Sequence, residues 1–257
     1  MKIRSHRELD TYKIAFRSAV DIYNFKKPLQ FVTAFSCAKF VSAYRQIIYL
    51  CQKIKTMTLI KSISGIRGTI GGKTAENLTP IDAVKFAAAF GAFIKQRNKG
   101  KKKITIVIGR DARISGNMIS SLVANTLVGL AIDVIDLGLS TTPTVEVAVP
   151  MEHADGGIII TASHNPKQWN ALKLLNEKGE FLNGAEGEQI LEIADNEDFE
   201  FSEVDDLGSY SQDFSYVEKH IQEVLKLDLV DVEAIKKANF KVVVDAVNST
   251  GGIFIPA

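Results

Sequence analysis

Downstream of Met57 the chain alternates short apolar runs with amphipathic stretches. Residues 59–66 read as a strand. Thr79-Pro80-Ile81-Asp82 is a helix start: a capping Thr, Pro at the first helical position, and an acid three residues after the cap. The helix it opens runs to about Gln96. The β-branched run 104–108 predicts a buried strand. Ser115 is placed to cap a helix through Leu130. A strand over 134–137, a short helix over 143–149 and a buried strand over 157–161 follow. Strands at 172–175 and near Phe181 flank Asn176-Glu177-Lys178-Gly179, a hairpin signal. Residues 185–194 are helical in pattern. This alternation predicts an α/β fold, a three-layer domain over 57–200 with a mainly parallel mixed sheet between helices.

The flanks differ from this block. Residues 196–213 are acidic and polar, as in a connector. Helical patterns at 216–225 and 232–238 and an apolar run at 240–245 lead to the loop Asn248-Ser249-Thr250-Gly251-Gly252. Residues 214–257 thus read as the truncated start of a second α/β domain. Upstream, Leu9, Tyr12, Phe16, Ala19 and Tyr23 recur at helical spacing over 6–23; Pro28 ends that helix, and 34–53 supplies a second. Residues 1–56 are therefore expected to be a short helical leader or fusion segment.

Charge supports a seam at residue 56. The leader carries 11 Lys or Arg against 3 Asp or Glu, while the chain as a whole is balanced at +1. That overall balance gives no reason to expect nucleic acid as a partner. Cys37 and Cys51 lack metal-ligand spacing and form no disulfide framework, so a reducing cytoplasm is the expected setting. The apolar stretch 31–50 is broken by Lys39 and Arg45, and no membrane span is expected.

The segment that carries chemistry is Gly156-Gly157-Ile158-Ile159-Ile160-Thr161-Ala162-Ser163-His164-Asn165-Pro166. A buried strand delivers a small-residue turn at its carboxyl end, where open α/β sheets bind ligands. Ser163 is presented as a nucleophile or phosphate carrier would be. Adjacent residues on an extended chain point apart, so His164 is not a simple base for Ser163. On spacing alone, an ordinary strand–loop junction and a nucleophile loop both remain open. Neither GxGxxG nor a complete phosphate-binding P-loop occurs; Gly72-Lys73-Thr74 comes close, but Arg67 stands where the first glycine belongs.

Thr161-Ala162-Ser163-His164-Asn165-Pro166 resembles the active-site loop of the α-D-phosphohexomutases, the family of phosphoglucomutase, phosphomannomutase and phosphoglucosamine mutase. Further segments resemble that family in order: Ser64-Gly65-Ile66-Arg67-Gly68, Gly109-Arg110-Asp111-Ala112-Arg113, Thr142-Pro143-Thr144, Asn170-Ala171-Leu172-Lys173 and Val244 to Gly252. Ala171 departs from the family's usual glycine. The match runs from about Met57 to the end of the chain, which stops early in the second of the family's four domains. Residues 1–24, most clearly Arg4 to Phe16, also resemble small four-helix-bundle proteins encoded within ribosomal RNA intervening sequences.

The resemblance implies intramolecular transfer of phosphate between C1 and C6 of a hexose phosphate (glucosamine, glucose or mannose). Transfer runs through a phosphoserine at Ser163 and a hexose 1,6-bisphosphate. It implies Mg²⁺, with phosphorylated Ser163 as one ligand and the others in a loop this chain does not contain. Arg67 is the expected cation near the transferring phosphate, and Arg113, Asn165 and Asn170 are expected substrate- or phosphate-binding residues. Lys173, an amine placed among other cations, is the first choice for general acid or base, and His164 the second. Arg110 and Asp111 could equally form an ion pair that holds their loop. The alternative reading is a catalytically incompetent fragment that only carries or binds phosphate. On either reading the isolated chain is expected to turn over negligibly. Its oligomeric state is not legible.

Overall fold

The computed structural model describes residues 57–62 and 65–257. The expected leader helices, both cysteines and Ser64 lie outside the described residues. Thr58–Ala257 form a single compact unit.

Its first two strands, β1 (Ile60–Ser62) and β2 (Gly65–Thr69), form an antiparallel hairpin. This corrects the expectation of one strand over 59–66. Gly65 adopts φ +108°, and a Cβ there would lie 2.2 Å from the carbonyl oxygen of Leu172. The chain can therefore turn and re-enter the sheet only with glycine at that position. Helix α1 (Pro80–Arg97) begins with the expected capping box between Thr79 and Asp82. The remaining elements of the main layer are β3 (Ile104–Arg110), α2 (Gly116–Gly129), β4 (Ile132–Leu139), α3 (Thr142–Met151), β5 (Gly156–Ile160), β6 (Trp169–Leu175) and α4 (Gly184–Asn196).

The sheet order is β1-β2-β6-β5-β3-β4-β7, where β7 is Tyr210–Gln212. Strands β5, β3, β4 and β7 pair in parallel, and β1, β2, β6 and β5 pair antiparallel. One face buries Phe86 and Phe90 of α1, Ile119 and Val123 of α2 and Ile190 of α4 against Ile106, Ile158, Ile160 and Leu172. The other buries Val145 and Val149 of α3 against Val107, Ile159 and Leu175. Each fully buried large side chain stabilises the fold by about 1.5–3 kcal/mol. The architecture is the expected three-layer α/β arrangement with a mixed sheet.

Three features depart from the pattern reading. The connector contains a 3₁₀ turn (Val204–Asp206) and the edge strand β7, which pairs with β4. Helix α5 (Tyr216–Leu225), expected to open a second domain, instead adds Tyr216 to the core under α3. The Tyr216 hydroxyl donates to Glu152, and Lys219 bridges Asp213 and Glu152 at 2.8 and 3.5 Å. Helix α6 (Val232–Ala238) forms as expected, but residues 240–245 are not a strand. They lie exposed, with Val243 98% accessible, and no described strand runs beside them to complete their hydrogen bonds. A short helix, α7 (Gly251–Phe254), follows. Among the described residues no helix is long and apolar enough to cross a membrane.

Candidate active site

The carboxyl end of β5 delivers the loop that bears Ser163. All five residues of β5 are buried, so the strand is a rigid base. Thr161 is buried where the loop leaves the strand; its hydroxyl donates to Asp111 Oδ2 at 2.6 Å and accepts the Ser163 amide at 3.1 Å. Ser163 itself is exposed and sits in the left-handed region, at φ +53°. That conformation costs a non-glycine residue about 1–2 kcal/mol, so the surroundings must impose it.

Arg113 imposes it. Its Nη2 donates to the carbonyls of Ser163 at 2.6 Å and Asn165 at 2.7 Å. Its Nη1 donates to the carbonyls of Pro166 at 2.9 Å and Trp169 at 3.0 Å. Its Nε donates to Asp111 Oδ2 at 3.2 Å. An arginine has five N–H donors, and all five are used. The expectation of direct phosphate contact is corrected: Arg113 has no donor left and acts as a clamp beneath the loop. The ion pair in this segment joins Asp111 to Arg113, not to Arg110.

Asn170 is corrected for a related reason. It is fully buried, donates to Ser115 Oγ at 2.9 Å and accepts the Ala171 amide at 2.9 Å. It ties β6 to the start of α2 and does not reach the loop surface. Ser115 makes no side-chain capping bond to α2. Asn165 is half-buried; its amide donates to the Ala162 carbonyl at 2.9 Å and shapes the turn. His164 is exposed beside Ser163.

Strand register places two of the predicted cations together. Arg67 pairs with Ala171, and Lys173 pairs with Ile159. Paired residues share a face, and so do residues two apart on a strand. Arg67 and Lys173 therefore lie on one sheet face, the face that continues through Ile159 to Thr161 and the loop. Arg67 Nε is buried without a hydrogen-bond partner among the described residues. Glu146 of α3 faces Lys173: burial raises the Glu146 carboxyl above its ordinary value, and the Lys173 charge opposes that rise. Asp111 holds its loop as one reading of the sequence allowed, but through Arg113, and Thr161 is a supporting residue whose role the sequence did not reveal.

The implied Mg²⁺ would take one ligand from phosphorylated Ser163, with its other ligands expected outside this chain, and the described residues supply no further carboxylate set. Among the described residues no group of three His, Cys, Asp or Glu could hold a metal ion. The carboxylate beneath the loop, Asp111, is already taken by Arg113 and Thr161.

Fold and site together define an α/β domain that presents a serine on a clamped strand-end loop, with two cations on the sheet face that leads to that loop. The model of the phosphoglucomutase/phosphomannomutase α/β/α domain I matches residues 59–201. The chain belongs to the phosphoglucomutase/phosphomannomutase family. It is 36% identical over 191 residues to a phosphoglucomutase/phosphomannomutase of Thermococcus kodakarensis, covering 74% of this chain and 41% of that protein. It is 31% identical to a phosphoglucosamine/phosphogalactosamine mutase of Sulfurisphaera tokodaii, covering 75% of this chain and 40% of that one. The chain thus spans about two fifths of the length of these curated relatives. In fold it resembles a phosphoglucomutase/phosphomannomutase family protein of Burkholderia thailandensis, with a TM-score of 0.53 at 24% identity over 65% of this chain and 36% of that one.

Proposed function

We propose that Ser163 accepts and returns the phosphoryl group in a phosphohexomutase reaction on a hexose phosphate. The observation that carries this reading is the exposed Ser163 at φ +53°, fixed by the five-donor Arg113 clamp at the end of a buried strand. A serine held at that cost of strain, on an immobile base, is suited to in-line transfer.

In the charging half-reaction the Ser163 hydroxyl oxygen bonds to the phosphorus of a hexose 1,6-bisphosphate. The bond from phosphorus to a sugar oxygen breaks. The serine proton leaves to a base, and the sugar oxygen gains a proton, giving a hexose monophosphate. The reverse step at the other hydroxyl completes the exchange of positions. Lys173, with His164 second, is the proposed proton carrier. Arg67, with an unpaired Nε on the same sheet face as Lys173, is the proposed partner of the phosphoryl oxygens. Arg113 and Asn165 serve by holding the loop. The support for a sugar phosphate as substrate is the names of the relatives, which span glucose, mannose, glucosamine and galactosamine phosphates.

The test follows glucose 1,6-bisphosphate by ³¹P NMR, in a Mg²⁺-containing buffer, on adding stoichiometric protein. The proposal expects consumption of up to one equivalent, with glucose monophosphate appearing, and none with Ser163→Ala. Consumption by Ser163→Ala equal to that by the unmodified chain, or none by either, would overturn it.

A further inference from the structure

Beyond the Ser163 loop, the described residues hold a separate cavity of about 680 Å³ at the carboxyl ends of β3 and β4. We infer that this cavity is a second binding site, for a small polyhydroxylated metabolite bearing a phosphate, with the phosphate on Arg110.

The position follows from the topology. The chain leaves β3 towards α2, which packs on one face of the sheet. It leaves β4 towards α3, which packs on the other. β3 and β4 are adjacent and parallel, so their carboxyl ends open a crevice where the connections diverge. Open α/β sheets bind ligands at such a switch point. The Ser163 loop lies on the other side of β3, at the end of β5. The volume falls within the range of small-molecule pockets, about 300–1,000 Å³.

The lining supplies the chemistry. Arg110 makes one hydrogen bond, from Nη1 to the Asp111 carbonyl at 3.3 Å, and no ion pair among the described residues. Its neighbour in the cavity wall, Asp136, is buried and already satisfied. Asp136 Oδ1 accepts the Gly138 amide at 2.8 Å, and Oδ2 accepts the Tyr210 hydroxyl at 2.7 Å. Arg110 therefore remains a planar cation with open donors, which suits a phosphate. The amino end of α2 adds to the positive field, since a Cβ on Gly116 would lie 3.6 Å from Arg110 Nη1.

A second and independent observation points to a ligand. Ser120 lines the cavity and is 4% exposed, and its hydroxyl has no hydrogen-bond partner. A buried hydroxyl left unpaired costs about 1–3 kcal/mol, which a ligand hydroxyl would relieve. Asn125 and Gln212 offer further polar groups, and Phe214, 63% exposed, gives an apolar rim for the carbon face of a sugar chain.

Sorbitol 6-phosphate is the probe, since as an open-chain alditol it carries the phosphate and the hydroxyl chain but has no anomeric hydroxyl. Its binding is measured by calorimetry and NMR on the full chain. The site expects saturable binding at about 1 mM or tighter, unchanged in Ser163→Ala. Arg110→Gln should weaken it at least tenfold, and sorbitol without phosphate should bind at least tenfold more weakly. Inorganic phosphate should compete. If Arg110→Gln fails to fold, Ser121→Trp on the exposed side of the lining fills the cavity and decides. Absence of saturable binding, or binding that survives the folded Arg110→Gln or Ser121→Trp variant, would overturn the inference. So would equal binding of sorbitol and its phosphate.

Discussion

Replacing Arg113 by lysine keeps the charge and removes the fork. The five N–H contacts of Arg113 span Asp111 and four backbone carbonyls between Ser163 and Trp169. A lysine ammonium has three donors on a flexible stem and can satisfy the carboxylate and one or two carbonyls at most. Two or more carbonyl anchors are lost. Hydrogen bonds to a charged group each contribute about 1.5–3 kcal/mol, so the closed loop loses about 3 kcal/mol. Every 1.4 kcal/mol is tenfold, so loop opening rises roughly a hundredfold. The assay is hydrogen exchange by mass spectrometry on peptides over 161–170, with β3 as internal reference. Exchange there should accelerate roughly a hundredfold while β3 stays protected. Ser163 charging by glucose 1,6-bisphosphate should slow by at least tenfold, because the serine no longer sits at a fixed φ. Unaltered exchange over 161–170 in a folded Arg113→Lys protein would refute the clamp.

Asn170→Ala should destabilise the fold by about 1–3 kcal/mol in urea titration, by stripping the Ser115 link, while leaving Ser163 charging per folded molecule unchanged. Loss of charging without loss of stability would return Asn170 to the site. Gly65→Ala should cost about 3 kcal/mol or more, because its Cβ would meet the Leu172 carbonyl at 2.2 Å; an unchanged melting temperature would refute that geometry. Burial by itself would raise the Asp213 carboxyl, but hydrogen bonds from Lys219 and Ser215 bring it down to about 2. Its folded value lies below the ordinary 3.8, so its stabilisation is present above about pH 4 and lost as pH falls through 2. Both partners are partly exposed, so the effect is about 1 kcal/mol. Asp213→Asn should lose that much at pH 7 and little near pH 2; equal losses at the two pH values would contradict the assignment.

Much of this was legible along the chain, and the exceptions share a cause. The Thr79–Asp82 capping box is a local device, and it formed as its residues predict. The buried strands at Ile106 and Ile158 were likewise visible, because both faces are covered and the runs are rich in β-branched apolar residues, and the strand at Val134 was visible from its shorter apolar stretch. Strand β7 was not visible: Tyr210, Ser211 and Gln212 are all exposed, and their strand form comes from pairing with β4, more than 70 residues earlier. Residues 240–245 show the converse, an apolar run without a described partner strand and therefore without strand form. The role of Arg113 was hidden because its acceptors are backbone carbonyls some 50 residues away, to which side-chain patterns are blind. Asn170 could have been read better. It stands three residues before Lys173 on one strand, so the two must face opposite sides. That parity alone separates a core amide from a site amine. The shared face of Arg67 and Lys173 needed the β2–β6 register, which no local signal gives.

The central claim is that Ser163 is the residue that takes the phosphoryl group. Its most direct test is the intact mass of the purified chain before and after incubation with glucose 1,6-bisphosphate and Mg²⁺, followed by peptide mapping. The account predicts a gain of one phosphate, mapped to Ser163 and absent in Ser163→Ala. A folded chain that gains none, or that carries the phosphate on another residue, would contradict it.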